Sequence, residues 1–149
     1  MHRDEAIKRI GAALKRRSGK AWSVTGDRGT AWGWINIDAP PARRTWHFRG
    51  TTVHDDGTVG RTEEVCLPGH PYGHMGPDDR AELTKLLGLN REVHHQGESV
   101  PPEAREVYVD AAEGKMSATC GQSVTCPDDL IRFCVRERGH TGFCDAGVR

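Results

Sequence analysis

The stretch TWHFRGTTV at residues 45–53, the turn sequence HDDG at 54–57 and the run TVGRTEEV at 58–65 together predict a β-hairpin. Both runs are rich in β-branched and aromatic residues, which are enriched in strands. Asp55-Asp56-Gly57 is a strong turn signal, because glycine readily adopts the positive φ angles that tight hairpin turns require. We therefore expect a hairpin over residues 43–65.

Two shorter strands are predicted on the N-terminal side of this hairpin, at residues 22–25 and 30–37, joined by a glycine turn. Because successive side chains of a strand point to opposite faces, Ile35 and Ile37 should face the core and Trp32 and Trp34 the opposite side. Pro40-Pro41 should end the second strand, since proline cannot donate a backbone hydrogen bond.

Helices are predicted at residues 4–17, 77–87 and 101–113 from the spacing of their apolar residues. Asp4 is expected to cap the first helix and Ser18-Gly19 to end it. Pro77 and Gly88 suit the two ends of the second helix. The apolar side of the third helix is expected to carry Ala104, Val107, Tyr108 and Ala111.

This order of elements predicts an α+β fold. We expect a small antiparallel sheet in an α-β-β-β-β-α order, with helices on one face. Residues 1–114 would form this body, and residues 115–149 a linker and a zinc-stabilised C-terminal tail.

Bulk properties limit the class of protein. The chain has 149 residues, 36% of them hydrophobic, which fits one domain with a modest core. No run approaches the roughly 20 apolar residues of a membrane span. The charged N-terminus has no apolar signal region. These features predict a cytoplasmic protein of a bacterial cell, without a membrane partner.

The five cysteines include a cluster near the C-terminus with the spacing C-x7-C-x5-H-x3-C. In a reducing compartment, such a cluster indicates zinc in preference to disulfides. Four protein ligands would close the site, so the zinc would be structural and not catalytic. The predicted ligands are Cys126, Cys134, His140 and Cys144, with Cys120 as the alternative to Cys126.

A weaker second metal site is predicted at Cys66, His70 and His74, which are spaced by three residues each. Three ligands with a water molecule are typical of hydrolytic zinc sites. His47, His54 or Asp55 could supply a fourth ligand instead. The alternative is an ordinary loop with solvated histidines. His94, next to His95, is a candidate for a further catalytic group of such a hydrolase.

The zero net charge hides an asymmetry along the chain. Residues 1–50 carry eleven Lys/Arg against four Asp/Glu, whereas residues 51–149 carry ten against seventeen. A basic half with interleaved tryptophans is typical of a surface that stacks bases and tracks phosphates. The alternative is that the two halves attract each other within the fold. The candidate nucleic-acid-binding residues are Arg16, Arg17, Lys20, Arg28, Trp32, Trp34, Arg43 and Arg44.

Residues 20–37, with the segment Gly29-Thr30-Ala31-Trp32-Gly33-Trp34-Ile35, resemble small actinobacterial and phage proteins of uncharacterised activity. They also resemble a large polyvalent protein-associated domain of mobile elements. Residues 93–97 and 108–114 are similar to the same proteins. The tail from Cys134 to Cys144 resembles a zinc knuckle. This resemblance implies a protein that travels with phage or plasmid DNA.

We therefore expect a small zinc-binding accessory protein of phage or mobile-element type that binds DNA or RNA through its basic N-terminal half. One alternative is a protein-interaction or inhibitor module that acts on a host defence protein. The other is a metal-dependent hydrolase centred on Cys66, His70 and His74. No sequence feature indicates a catalytic nucleophile, which favours a binding protein over an enzyme.

Overall fold

A computed structural model describes residues 1–90 and 92–115, together with the backbones of two short strands in the tail. Helices and small antiparallel sheets make up these residues, which confirms the α+β class. The helices are α1 (Arg3–Ser18), α2 (Pro77–Leu87) and α3 (Arg105–Ala112). The strands are β1 (Ser23–Gly26), β2 (Ile35–Asp38), β3 (Arg44–Val53), β4 (Val59–Pro68), β5 (His74–Met75), β6 (Glu98–Val100), β7 (Ser123–Thr125) and β8 (Ile131–Phe133).

The strands form separate sheets instead of the single sheet that the order of elements predicts. One sheet has the order β1-β2-β6 and another the order β4-β3-β5, while β7 pairs with β8. The chain between β2 and β3 turns through a 3₁₀ segment at Pro41–Arg43. Because this segment and Pro40 before it interrupt the extended backbone, β3 does not continue the first sheet and pairs with β4 and β5.

Helix α1 begins one residue earlier than predicted. His2, and not Asp4, is the N-cap, and its Nδ1 accepts a hydrogen bond from the Asp4 backbone N–H. The helix ends at Ser18, one residue later than predicted, and is followed by Gly19 with a φ of 74°. The N–H of Gly19 donates to the carbonyl of Lys15 over 2.9 Å. This left-handed termination favours glycine, which has no Cβ to clash with the backbone.

The second strand is shorter than predicted. Its N-terminal part forms a 3₁₀ segment at Gly29–Ala31, and pairing with β1 starts only at Ile35, opposite Gly26. The turn is closed by the Trp34 N–H, which donates to Ala31, and by the Asp27 N–H, which donates to Trp34. The alternation of residues 30–34 resembles a strand, but these local hydrogen bonds close a turn instead. Ile35 and Ile37 are buried as predicted.

Helix α3 presents a different face from the predicted one. The segment starts with a 3₁₀ turn at Pro102–Ala104, which changes the angular position of the residues that follow. Tyr108, Val109 and Ala112 are buried in α3, whereas Val107 is only half-buried. The two prolines at the start explain the shift, because they force the extended and 3₁₀ conformations that precede the α-helix.

The core lies between the helices and the inner face of the β1-β2-β6 sheet. Helix α1 packs against α3 and β1, and α2 packs against α3. None of the helices in residues 1–90 and 92–115 is long and apolar enough to span a membrane. The buried apolar residues are Ala6, Ile10, Ala13, Leu14, Trp22, Ile35, Ile37, Ala39, Met75, Leu83, Leu87, Val93, Val100, Ala104, Tyr108, Val109 and Ala112.

The predicted hairpin is present, with β3 and β4 as antiparallel partners. Strand β4 continues to Pro68, so Cys66 lies in a strand and not in the predicted loop. Strand β5 then pairs with the start of β3, which puts Met75 opposite Arg44. The hairpin is thereby joined at its base to the rest of the fold.

The predicted zinc ligands of the tail, at positions 120, 126, 134, 140 and 144, lie outside the described residues. Between them, β7 and β8 pair antiparallel, with Ser123 opposite Phe133. The zinc site of the tail therefore stays a prediction.

Candidate functional site

The β3–β4 hairpin differs from the rest of the described chain because none of residues 44–72 is buried. Two strands of ten residues each are thus exposed on both faces. A two-stranded ribbon has only one layer, so neither face can be covered by the other strand. The register sets Trp46 opposite Leu67 and Phe48 opposite Val65.

One face of this hairpin is apolar, and we call the set Trp46, Phe48, Val65 and Leu67 the aromatic face. Trp46, Phe48 and Leu67 are 37%, 39% and 40% exposed. The rings of Trp46 and Phe48 are 5.7 Å apart between centroids. A Cβ built on Gly50 would lie 3.3 Å from a methyl of Val65, so the small residue leaves room for this cluster to close.

The loop after β4 extends the aromatic face. The ring of His70 lies 4.3 Å from the ring of Trp46 and 5.8 Å from the ring of Tyr72. Tyr72 is itself highly exposed. Aromatic side chains combine a large contact area with few rotatable bonds and are therefore enriched in protein interfaces.

The opposite face of the hairpin is polar. Thr51 and Thr62 are opposite each other, with their hydroxyl oxygens 3.4 Å apart. Arg49 is opposite Glu64. His47 Nδ1 lies 3.0 Å from the sulfur of Cys66. The two faces thus follow the period of two that an antiparallel ribbon imposes on its sequence.

A single arginine anchors the base of the hairpin. Arg44 Nε donates to the Ala39 carbonyl over 2.6 Å and lies 3.3 Å from a carboxylate oxygen of Asp38. Its Nη1 donates to the Pro71 carbonyl over 2.8 Å. Burial raises the pKa of Asp38, and the charge of Arg44 opposes that rise. Arg44 therefore fixes the hairpin to the fold and is not available for phosphate.

Three more of the predicted nucleic-acid residues have partners within the fold. Arg17 Nη1 donates to the carbonyls of Leu86, Ala111 and Ala112 at the ends of α2 and α3. Lys20 pairs with Asp79 and Glu82, and Arg43 with Asp79 over 2.8 Å.

These contacts join the basic and the acidic halves of the chain. Arg9 adds a further link of this kind to Glu113 over 2.8 Å. Opposite charges of the two halves thus attract each other within the fold, as the alternative interpretation of the charge asymmetry expects. A cation that already has a carboxylate partner contributes little to phosphate binding, because that pair must first be separated.

The remaining residues predicted to bind nucleic acid are exposed. Arg16 and Arg28 have no ion pair within the described part of the chain, and Trp32 and Trp34 are both exposed. The guanidinium of Arg3 lies 4.1 Å from the centroid of the Trp32 ring and covers one of its faces. Trp34 is therefore the better candidate for stacking against a ligand.

Trp34 lines a polar groove of about 720 Å³ on the outer face of the β1-β2-β6 sheet. Hydroxyl and amide groups from Thr25, Asn36 and Ser99 also line it. The Ser99 hydroxyl donates a hydrogen bond to Asn36 Oδ1 over 3.1 Å. Charged groups of Asp38, Arg44 and Glu98 and the ring of Tyr108 complete its lining.

The predicted second metal site is not assembled. In residues 1–90 and 92–115, no three His, Cys, Asp or Glu side chains form a group that could hold a metal ion. Cys66 contacts His47, His70 contacts Trp46, and the ring of His74 lies 4.3 Å from that of His95. The extension of β4 through Cys66 is the physical reason, since it separates Cys66 from the loop that carries His70.

His94 and His95 lie side by side, with ring centroids 4.0 Å apart. Burial lowers the pKa of His95, and the neighbouring His94 and His74 lower it further. The hydrolase alternative, which needs a metal near these residues, therefore gains no support from the described geometry.

Comparisons with protein-family models, with curated proteins and with solved structures found no match for this chain. The aromatic face was not among the sites predicted from the sequence. Its signal is nevertheless present there, as apolar residues at positions 46 and 48 of one strand and 65 and 67 of its partner. Only the register shows that these four residues share one face.

Proposed function

We propose that this chain is a protein-interaction module that contacts its partner through the aromatic face of the β3–β4 hairpin. The observation that carries the proposal is an apolar cluster on a hairpin in which no residue is buried. Contiguous exposed apolar groups are costly in water and are typical of binding sites. The partner should therefore present a complementary apolar surface.

The charge of the hairpin supports a protein partner over a nucleic acid. Residues 44–68 carry three arginines and four carboxylates, so the hairpin attracts no polyanion strongly. Trp46 lies at the centre of the cluster, between Phe48 and His70. Tryptophan and tyrosine dominate the binding energy of many protein interfaces when they become fully buried.

The expected setting is an accessory protein of a phage or mobile element that acts on a host protein. This setting depends on the sequence resemblance and on no structural observation. The zinc-binding tail belongs to the same proposal. Stoichiometric zinc in the purified protein, lost on replacing Cys134 and Cys144 by serine, supports the tail site, and zinc-free protein under reducing conditions contradicts it.

The experiment compares variants of the two hairpin faces. Tagged wild-type protein, Trp46→Ala and Phe48→Ala are incubated with an actinobacterial lysate, with Thr51→Ala on the polar face of β3 as the control. Captured proteins are identified by mass spectrometry, and the leading one is purified and titrated by calorimetry. We expect Trp46→Ala to weaken its binding by about tenfold or more and Thr51→Ala by less than about threefold.

Two results would contradict the proposal. One is a purified partner that binds wild type and Trp46→Ala equally. The other is the absence of any protein that distinguishes the aromatic-face variants from the control. Circular dichroism of each variant checks that the fold is retained, which is expected because the aromatic face contributes no buried residue to the core.

Nucleic-acid binding is the second candidate. It is favoured by the exposed Trp34 at the polar groove and by Arg28 in the preceding turn. A stacked base could present its edge to Asn36 and Ser99, while Arg28 attracts phosphate. This mode uses residues that the fold leaves exposed, and it excludes Arg17, Lys20, Arg43 and Arg44.

Fluorescence anisotropy with labelled single-stranded DNA, double-stranded DNA and RNA tests this candidate. Binding at about 50 mM salt that weakens as salt is raised supports it. Trp34→Ala should then reduce the affinity more than Trp46→Ala does. Anisotropy that does not change at this salt concentration excludes the candidate.

A further inference from the structure

We propose that the aromatic face and the loop after β4 bind a proline-rich segment in the polyproline II conformation, with a basic residue at the end that lies towards the tip of the hairpin. This partner chemistry rests on the proposed function, since it concerns the same face. Three features of the face point to it: a row of aromatic rings, hydrogen-bond donors along that row, and an acidic hairpin tip.

Four rings form a row from the middle of β3 to the loop after β4. The ring centroid of Trp46 lies 5.7 Å from that of Phe48 and 4.3 Å from that of His70, and Tyr72 follows at 5.8 Å from His70. Neighbouring rings are tilted by 54°, 55° and 45°, so they do not cover each other's faces. A proline ring is apolar and already rigid, so it can pack against such open ring faces with little loss of conformational freedom.

The same row carries hydrogen-bond donors. The Tyr72 backbone N–H donates to His70 Nδ1 over 3.2 Å, so the proton of the neutral imidazole is on the other ring nitrogen, Nε2. The indole N–H of Trp46 and the hydroxyl of Tyr72 have no hydrogen-bond partner within the described part of the chain. These three groups are therefore left to donate to the carbonyls of a bound segment.

The donors favour polyproline II over the two other regular conformations of a bound segment. The carbonyls of an α-helix already accept hydrogen bonds within the helix. A β-strand forms its backbone hydrogen bonds with the edge of a sheet and not with its face. A polyproline II segment has no internal hydrogen bonds, so its carbonyls can accept from ring donors while its prolines pack between the rings.

Charge complementarity sets the direction of the segment. Residues 54–64, around the hairpin tip, carry four carboxylates and one arginine. Glu63 lies opposite Gly50, next to Phe48 on the side of the aromatic face, and is exposed. At the other end of the face, the charge of Arg44 is paired with Asp38. A basic residue of the partner is therefore expected beyond Phe48, close to Glu63.

A peptide titration tests the conformation of the ligand. The probe is a fluorescently labelled peptide of about nine prolines, or about three turns of polyproline II, followed by an arginine pair. One control peptide replaces alternate prolines by glycine, which keeps the charge and removes the stiffness. The other is an amphipathic helical peptide with the same arginine pair. We expect saturable binding of the proline peptide below about 1 mM, and binding of both controls that is weaker by about tenfold or more.

Variants of the face test its contacts with the proline peptide. Trp46→Ala removes the ring between two neighbours and should weaken binding by about tenfold or more. Tyr72→Phe keeps the ring and removes the hydroxyl donor, so it should weaken binding by about threefold. Thr51→Ala, on the polar face of β3, should change the affinity by less than about twofold.

Two carboxylates of β4 provide a matched test of the charge. Glu63→Gln should weaken the proline peptide by about twofold or more and make its binding less sensitive to salt. Glu64→Gln removes the same charge from the polar face, opposite Arg49, and should have a smaller effect. Equal effects of the two variants refute the direction assigned to the segment.

The results distinguish the failure of this inference from the failure of the proposed function. The inference is overturned by the absence of proline-peptide binding below about 1 mM, by equal binding of either control peptide, or by an affinity that Trp46→Ala or Tyr72→Phe leaves unchanged. None of these results contradicts the proposed function, which fails when no lysate protein distinguishes the aromatic-face variants from Thr51→Ala. A captured partner that contacts the aromatic face through a helix supports the proposed function and overturns the polyproline II chemistry.

Discussion

The body of the fold and the β3–β4 hairpin both contain large apolar residues, but the two regions differ in whether these residues are buried. In the body, Ile10, Ile35, Ile37 and Leu83 are completely buried. In the hairpin, Trp46 and Phe48 are of comparable or larger size, yet both remain exposed. The difference shows that the hairpin contributes little to the core and leaves its apolar groups exposed.

The charges show the same division. Lys20 and Arg43 from the basic half converge on Asp79 of α2, and Arg9 pairs with Glu113, so these groups stabilise the body. Hairpin residues Arg61 and Glu63 have no such ion pair within the described residues. The body therefore accounts for much of the charge asymmetry of the sequence.

The largest effect should come from a truncation in the body. Ile37→Ala removes a fully buried side chain and leaves a cavity, which should lower the free energy of unfolding by about 2–5 kcal/mol. Val53→Ala, at the 65% exposed tip of the hairpin, should change it by less than about 0.5 kcal/mol. Urea denaturation measures both changes. Equal losses in the free energy of unfolding would contradict the conclusion that the body, and not the hairpin, contains the core.

A smaller loss is expected from the link between the two halves. Asp79, which is 5% exposed, accepts hydrogen bonds from Arg43 and Lys20, so Asp79→Ala should cost about 1–3 kcal/mol. The exposed neighbour Asp78, in the same first turn of α2, provides the matched control. Both changes remove one charge near the helix N-terminus, and the difference between them isolates the buried contacts. If Asp78→Ala costs as much, the contacts with Arg43 and Lys20 do not stabilise the body.

The smallest effect concerns pH. The hydrogen bond from Arg9, followed by that from Lys115, lowers the pKa of Glu113 to about 2 from its ordinary 4.5. Because the folded pKa is depressed, the stabilisation is present above pH 4.5 and is lost as the pH falls towards 2. Arg9→Ala should raise the pKa of Glu113 towards its ordinary value, and Lys115→Ala should raise it less. A carboxyl titration by NMR measures the shift, and a pKa unchanged by Arg9→Ala refutes the assignment of its main cause.

Local signals predicted much of the secondary structure. Helix α2 has the predicted bounds, since Pro77 and Gly88 act within the helix itself. The hairpin is present for the same reason, because its turn and its alternating strands lie next to each other in the chain. The predicted start of β2 and the predicted buried face of α3 were wrong. Both depend on 3₁₀ turns that the apolar pattern does not show.

The candidate site was predicted less well. The basic residues were identified by type, but their partners come from distant parts of the chain. Arg17, for example, reaches the ends of α2 and α3. Cys66 and His70 are close in sequence, yet the extension of β4 directs them to different neighbours. Spacing along a chain specifies a metal site only when the backbone between the ligands also bends towards one point.

The sequence by itself determined the α+β class, the bounds of α2 and the hairpin, because capping residues, glycine turns and apolar periodicity act over a few neighbouring residues. Only the tertiary structure decided which apolar groups are buried and which charges are neutralised. Burial depends on whether a second layer covers a face, and the body provides such a layer for the β1-β2-β6 sheet. No layer covers the β3–β4 hairpin within the described residues, so Trp46 and Phe48 are exposed there.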